Sequence, residues 1–462
     1  MLIQKQRPNY QPVPGVLAPI PIREFRGVNT FDPLSIADNF FMDMENMISD
    51  DYPAISVRPG YSVLGTFSGP IRGMGVWKNQ ELHVIANGEW WKYTGSWTKL
   101  ATGLDPNAEW SFTNFQGSFS DINLIASNGV DPIKKYNGSS VSNLSGAPSG
   151  GNFVTTYQNR VWCAVGKELH ACALDNAEQW TKFDGFEDDS YVKDMESTAG
   201  EDINMLSGGL TKLTIGMKNS LHELYGGLPS DFNTRLVTED TGVINYKSAV
   251  IQDGIMRFIH RTGVYEYAGG VIPDKSFSEI VKGYIDPVSD SVAGTDGIKL
   301  YFKMQLNRIL VYDPRFQTWN VWRGIDATHF INLGGFLYIG DENGRVLLLG
   351  QETDGGTPIS WYVTTKPFTN QSISQKLRWY KIWLTMDFAA GTTITVSLSR
   401  TVDEEDWEEV FTYTAPGNIE SKRIIIPVSK MANENYIRLK IEGTGWARIH
   451  EITRQQRELP LF

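Results

Sequence analysis

Six histidines are the residues of this sequence best suited to binding a metal or transferring protons. Locally formed metal sites place their ligands at short, regular spacings, and no two of these histidines lie within four residues of each other. Ligands can also converge from distant segments, so spacing alone leaves a site open. We interpret all six as structural and predict no metal site. They are His83, His170, His222, His260, His329 and His450.

Clustered carboxylates are the second group with catalytic potential, because two that face each other can hydrolyse a glycosidic bond. They occur at Glu187-Asp188-Asp189 and in the run DEEDWEE at 403–409. Consecutive acids in a loop usually point into solvent, which is the interpretation we favour. The sequence contains no nucleophile elbow, P-loop, zinc-protease motif or dinucleotide-binding loop. We therefore predict no catalytic residue, no cofactor and no enzymatic activity.

Tryptophans are the third group, because exposed indole rings can form a platform for sugars. Large aromatic side chains more often fill the space between packed sheets, and we favour that role for most of them. The adjacent pair Trp90-Trp91 is the exception, since neighbouring residues of a strand face opposite ways. A binding role stays open for that pair. The set comprises Trp77, Trp90, Trp91, Trp97, Trp110, Trp162, Trp180, Trp319 and Trp322.

Short strands that recur along the chain must position these residues. Residues 71–100 contain four strand-like runs, and Asn87-Gly88 between two of them is typical of a two-residue hairpin. One such meander cannot cover both of its faces and needs similar neighbours. Asn128-Gly129 repeats the turn 41 positions later, close to the period of about 40–50 residues of a propeller blade. Similar units follow at 153–180, 213–225, 249–267, 298–322 and 330–349.

The sequence therefore predicts an all-β protein built on a β-propeller of about seven blades over residues 66–368. The run 359–368 is expected to be an outer strand that closes the ring. Beyond it, 369–462 holds about six longer alternating strands, which predict a C-terminal β-sandwich.

Two further regions precede the predicted propeller. Residues 1–24 contain five prolines and predict an extended arm. Residues 25–65 predict a helix/strand segment that leads into the propeller, with a loose helical stripe over 34–47 followed by strands around the Pro59-Gly60 turn.

Composition limits the classes of function. The 462 residues carry a net charge of −11, whereas a whole-surface nucleic-acid binder needs a concentrated basic face. No apolar run approaches the roughly 18 residues of a membrane helix, and no secretory signal is evident. Cys163 and Cys172 lie in one predicted hairpin. A disulfide between its strands is geometrically awkward, so we predict two buried thiols in a protein made in a reducing cytoplasm.

A block near the N-terminus resembles bacteriophage tail propeller proteins, in particular the tail hub or nozzle proteins of short-tailed phages. The block has the form Phe-x-Gly-x-Asn-Thr, then Asp-Pro, Asp-Asn and Asp-Met-x-Asn-Met, and ends in Arg-Pro-Gly-Tyr. Its residues are Phe25, Gly27, Asn29, Thr30, Asp32, Pro33, Asp38, Asn39, Asp43, Met44, Asn46, Met47, Arg58, Pro59, Gly60 and Tyr61.

The resemblance implies a structural virion protein of the tail, assembled in the host cytoplasm. It implies a homo-hexameric ring that extends the genome-ejection channel below the portal and adaptor and anchors fibres or spikes. DNA would pass through the channel without specific binding. The resemblance transfers no catalytic, cofactor-binding or metal-binding residues. Two alternatives stay open: a propeller that binds a host receptor or glycan through exposed tryptophans, and a polysaccharide-degrading enzyme.

Overall fold

The computed structural model describes residues 18–197, 199–369, 373–402, 406–431 and 433–459. Regular structure in these ranges is almost entirely strand, and the predicted all-β class is confirmed. Most of the predicted arm, residues 1–17, lies outside the described residues. No helix in these ranges is long and apolar enough to cross a membrane.

Seven small antiparallel sheets occupy the middle of the chain, and in all but the seventh the strands lie in sequence order. Sheet 1 consists of Ile71–Trp77, Glu81–Ala86, Glu89–Tyr93 and Trp97–Ala101, and sheet 2 of Ser111–Phe115, Asn123–Ser127, Lys134–Tyr136 and Val141–Asn143. Sheet 3 consists of Asn152–Tyr157, Arg160–Val165, Glu168–Ala171 and Tyr191–Asp194, and sheet 4 of Met205–Gly208, Leu213–Gly216, Leu221–Tyr225 and Asn233–Thr238. Sheet 5 consists of Ala249–Gln252, Ile255–His260 and Gly263–Tyr267, and sheet 6 of Ala293–Thr295, Leu300–Lys303, Ile309–Asp313 and Thr318–Trp322. Sheet 7 consists of Ala327–Leu333, Phe336–Asp341 and Arg345–Gln351, and Gly60–Thr66 is its fourth strand.

Turn chemistry explains why these short strands form. Asn87 and Gly88 have φ values of 48° and 70°, as a two-residue hairpin with two left-handed residues requires. Asn128-Gly129 forms a different turn. The Asn128 side chain accepts hydrogen bonds from the backbone N–H groups of Val130 and Asp131, so the connection is longer than a two-residue hairpin.

The seven small sheets form a closed series. First strands of neighbouring sheets contact each other, except that the 3-10 helix Tyr246–Ser248 mediates the contact between sheets 4 and 5. The first strand of sheet 7, Ala327–Leu333, contacts the first strand of sheet 1, Ile71–Trp77. Backbone pairing also closes the series, because Gly60–Thr66 pairs with Arg345–Gln351 as the fourth strand of sheet 7.

The strand expected to close the ring was misplaced. Ser360–Thr365, in the expected 359–368 run, pairs instead with Phe41–Glu45 and Arg438–Thr444. It belongs to a five-stranded sheet that also contains Thr393–Ser399 and Glu408–Thr414. The closing strand thus comes from the N-terminal side of the series.

A second large sheet has seven strands. The five on its main path are Met47–Ile48, Ile55–Val57, Ala447–Glu458, Leu377–Phe388 and Ile419–Ile426, and Ile20–Ile22 and Asn433–Glu434 pair at its sides. The two large sheets share the largest apolar cluster of the molecule, which includes Leu384, Ile394 and Ile449. Burial of these aliphatic side chains is the main favourable contribution to their packing.

The predicted helix within 34–47 is wrong, because strands Phe41–Glu45 and Met47–Ile48 occupy its second half. Phe41, Met44 and Met47 are buried at a spacing of three, which imitates a helical stripe. A register shift between Phe41 and Asp43 and the left-handed Asn46, with φ of 57°, each reset the alternation of the strand.

Short 3-10 helices complete the fold. Ser276–Tyr284 packs beside Gly263–Tyr267, where sheet 5 lacks a fourth strand. The block of residues 25–65 binds this helix, since Thr30 N donates to Ile280 O at 2.9 Å. Gln305–Asn307 and Ser429–Met431 are the remaining two in the described ranges.

Candidate functional site

A cavity of about 490 Å³ lies at the centre of the seven small sheets. Apart from Leu124 in the second strand of sheet 2, its lining comes from the first strand of every sheet or from the residues just before that strand. The lining is buried at one end, near Ser111, and exposed at the other, near Asn114. The central cavity is therefore a funnel whose mouth lies at the C-terminal ends of the first strands.

Two residues of the Tyr246–Ser248 helix close the buried end. The Tyr246 hydroxyl donates to the backbone oxygen of Trp110 at 2.9 Å. Lys247 Nζ donates to Glu109 Oε2 at 2.8 Å. Both bonds join segments far apart in the chain, from the start of sheet 5 to the start of sheet 2. They form a floor across the centre of the molecule.

Glu109 is the charged centre of this floor. Its Oε1 accepts a hydrogen bond from Arg72 Nη1 at 2.9 Å, while its Oε2 is bonded to Lys247. Both carboxylate oxygens are thus committed to cations. Such a carboxylate fixes the positions of the two cations that it binds.

His329 projects into the cavity beside this floor. Its Nδ1 lies 3.1 Å from Thr328 Oγ1, and its Nε2 lies 3.8 Å from Glu109 Oε2 without a hydrogen-bond partner. Burial, together with the positive charges of Lys247 and Arg72, holds the pKa of His329 well below its usual range. The imidazole is therefore neutral at physiological pH.

The remaining polar group of the floor is the Tyr246 hydroxyl. Burial raises the pKa of Tyr246, and the nearby Glu109 adds to the effect, so its hydroxyl stays protonated. Among the residues that the structure describes, no three histidine, cysteine, aspartate or glutamate side chains are grouped to hold a metal ion.

A second polar centre joins the small sheets to the large ones, and it is formed by the N-terminal block. Arg58 is 1% exposed and donates to both carboxylate oxygens of Asp354, at 2.9 and 2.7 Å. Arg58 Nε also donates to Asn46 Oδ1 at 2.8 Å. The Asn46 amide in turn donates to Ser360 O in the five-stranded sheet and accepts from Arg323 N next to sheet 6. We call Arg58, Asn46 and Asp354 the junction.

Two glycines of the block allow close backbone contacts. Gly27 has φ of 74°, and a Cβ atom added there would lie 2.1 Å from Trp319 O. A Cβ atom added to Gly60 would lie 2.2 Å from Thr353 O. Asp43 accepts hydrogen bonds from the hydroxyls of Tyr284 and Tyr362. The block residues that carry the resemblance therefore hold elements together.

The six histidines lie in six different sheets. His83, His222, His260 and His329 are buried, and burial is the first cause that lowers the pKa of each. His170 lies 3.0 Å from Glu168, and His450 lies 2.8 Å from Asp387. Of the six, only His329 lines the central cavity.

Most of the tryptophans pack inside the protein, as predicted. Trp90, whose role stays open in the sequence, is fully buried as well and donates to His83 Nδ1 at 3.0 Å. Trp91 is half-buried, with Lys99 Nζ 4.7 Å from its ring centre. Five others, Trp110, Trp162, Trp180, Trp319 and Trp322, are also buried. The indole N–H groups of Trp77 and Trp97 donate to Ile122 O and Leu64 O.

The acidic runs and the cysteines have structural explanations. Glu187 and Asp188 are exposed, but Asp189 turns inward and accepts from the backbone N–H groups of Gly185 and Phe186. Residues 403–405 of the second run lie outside the described residues. The two cysteines are buried free thiols, as predicted, and burial raises the pKa of Cys172 to about 12.

Sequence reasoning missed the floor of the cavity. Arg72, Glu109, Tyr246 and Lys247 are single residues without a local motif, and each precedes or begins a first strand. The available signal was their position, because the N-terminal ends of first strands meet at the centre of a closed series of sheets. No spacing rule marks which of those ends carries charge.

Comparison with known proteins assigns no family. No protein-family model and no curated protein matches the chain. Solved structures of similar shape include the computationally designed Ika8 protein, at 12% identity over 63% of this chain and 99% of that one, with a TM-score of 0.42.

Two further likenesses are equally distant. The extracellular domain of the putative one component system BT4673 from B. thetaiotaomicron has 10% identity over 92% of this chain and 63% of that one, with a TM-score of 0.47. The RRP9 WD40 repeats have 8% identity over 64% of this chain and 99% of that one, with a TM-score of 0.44. None of the three is a phage protein, and at these scores none carries an argument about function.

Proposed function

We propose that this chain is a structural protein of a bacteriophage tail, of the hub or nozzle type. In this proposal the seven small sheets are the blades of a β-propeller, and the two large sheets form a β-sandwich beside it. The protein acts by assembling into an oligomeric ring, expected to be a hexamer, and by anchoring other tail parts. It has no catalytic role.

The junction is the observation that carries the proposal. Arg58 and Asn46, two of the residues that give the resemblance to phage tail propellers, join sheet 6, the closing region near Asp354 and the five-stranded sheet. The Arg58 side chain is buried and is held on three sides. A subunit whose signature residues brace one part against another is suited to bearing load within a particle.

In this proposal the genome passes through the central hole of the oligomer and not through the centre of a subunit. The centre of the subunit is closed by Tyr246 and Lys247, and the cavity of about 490 Å³ is far too small for a DNA duplex. A ring of subunits supplies a wider opening. The net charge of −11 favours a wall along which DNA slides without adhering.

The alternative of a glycan-binding propeller is weakened by the tryptophans. Trp90 is buried, and Trp91 is covered on one face by Lys99. An open aromatic platform of the kind that binds sugars needs a free ring face. Receptor binding through other surfaces stays a separate hypothesis.

Electron microscopy of the purified protein, alone and mixed with tail particles that lack it, tests the proposal. We expect a ring with a central hole, formed either by the protein alone or on the tail particle. Sedimentation in the same buffers supplies the number of subunits. A protein that stays monomeric and does not bind the tail particles would contradict the proposed function.

A further inference from the structure

We propose that the central cavity is a binding site for a small anion that carries a carboxylate or phosphate group, held by Lys247 and His329. This inference is independent of the proposed role in a phage tail. It rests on the unused donors, the charge and the shape of the cavity floor.

The floor contains more hydrogen-bond donors than acceptors. Lys247 carries three N–H groups and donates to one carboxylate oxygen, Glu109 Oε2. Arg72 Nε is buried without a partner. His329 Nε2 is likewise buried and unpartnered, on a residue that is 6% exposed and lines the cavity. When the Thr328 hydroxyl donates to Nδ1, Nε2 carries a proton that lacks an acceptor.

Buried donors without acceptors are costly, so a site of this kind gains free energy when an acceptor enters it. Unused N–H groups on a cation favour an anion as that acceptor. Two cations, Arg72 and Lys247, flank the single carboxylate of Glu109, and the Asp290 carboxylate, which is paired with Lys303, lies within electrostatic reach of Lys247. Tyr246 stays neutral and uses its proton on Trp110 O.

Shape and access agree with a small ligand. The volume of about 490 Å³ falls within the range of roughly 300–1,000 Å³ typical of small-molecule sites. Polar side chains continue from the floor toward the mouth, where Ser207 and Asn332 line the wall. The exposed Asn114 marks the open end. An anion can therefore enter from the mouth and reach Lys247 and His329.

Calorimetric titration of the full chain with inorganic phosphate, and separately with citrate, tests this site. Sodium chloride at matched ionic strength serves as the blank. We expect saturable binding of one anion per chain. Lys247→Met should weaken binding by about tenfold or more, because it removes a charge-assisted hydrogen bond. His329→Gln should weaken binding without changing the charge of the floor.

Lys282→Met is the matched control, because it removes one positive charge at an exposed position on the Ser276–Tyr284 helix. Its affinity should equal that of the unmodified protein. Unfolding midpoints establish that each variant is folded. If only one of the two anions binds saturably, the site prefers the group that this anion carries, phosphate or carboxylate. No saturable binding of either anion would overturn the proposal. Equal binding by the His329→Gln variant would also overturn it, because the anion would then be held without His329.

Discussion

Arg58 and Asp354 form a bidentate ion pair although they are 296 positions apart in the chain. The guanidinium is 1% exposed, so loss of its partner leaves a buried charge without compensation. We expect Asp354→Ala to lower the free energy of unfolding by about 3–5 kcal/mol. Denaturant unfolding, followed by tryptophan fluorescence, measures the change.

Glu279→Ala supplies the comparison for that variant. It removes the carboxylate of an ion pair with Lys282, whose side chain is 69% exposed. Pairs of this kind contribute about 0–1 kcal/mol. Equal losses in the two variants would show that the junction adds no more than a surface ion pair.

A substitution at Gly27 tests whether the N-terminal block and sheet 6 are in close contact. Its φ of 74° and the 2.1 Å approach of an added Cβ to Trp319 O both oppose a side chain. Gly103 has φ of 76° and no atom within 4 Å of an added Cβ. Gly103→Ala should therefore cost only the backbone strain, about 1–2 kcal/mol, while Gly27→Ala should cost clearly more. Thermal unfolding of the two variants measures the difference, and equal midpoints would mean that the contact is not tight.

Local sequence patterns predicted those parts of the fold that depend on residues close together in the chain. The Asn87-Gly88 turn and the alternating runs predicted short antiparallel strands, because turn geometry and side-chain alternation depend on neighbouring residues. The pairing of Gly60–Thr66 with Arg345–Gln351 joins segments far apart in sequence, and no residue in either strand specifies its partner. The same limit explains why 359–368 was assigned to the wrong sheet.

The functional residues were less predictable than the strands. From the sequence we interpret His329 as structural, and it gains its interest only from Lys247 and Glu109, which reach it from other parts of the chain. The arginine of the Arg-Pro-Gly-Tyr pattern was recognised as part of the block. Its ion pair with Asp354 depends on the closure of the whole series of sheets, and a single sequence carries no record of that contact.

We expect the folded protein to lose stability in acid because of His83. Burial, with a contribution from Lys92, lowers its pKa to about 3, so the folded protein keeps this imidazole neutral. The unfolded chain takes up a proton below about pH 6.5. The contribution of His83 is therefore lost as pH falls from about 6.5 toward 3, at up to about 1.4 kcal/mol per pH unit.

Replacement of His83 by asparagine tests this dependence, because an amide oxygen can accept the Trp90 hydrogen bond in place of Nδ1. Unfolding free energies measured between pH 7 and pH 4 should fall less steeply in His83→Asn. His170→Asn, at a partly exposed histidine, should keep the steep decline. Parallel pH curves for His83→Asn and the unmodified protein would contradict the assignment.

Variants of the neighbouring residues Trp90 and Trp91 distinguish a packing role from a binding role. Trp90→Ala removes a fully buried indole and its bond to His83, and should cost about 3–5 kcal/mol of stability. Trp91→Ala removes a half-buried ring whose contact with Lys99 contributes about 0.5–1 kcal/mol, so it should cost markedly less. Denaturant unfolding compares the two, and a glycan array compares their binding. A Trp91→Ala variant that stays stable but loses glycan binding would reverse our preference for packing and restore the receptor-binding hypothesis.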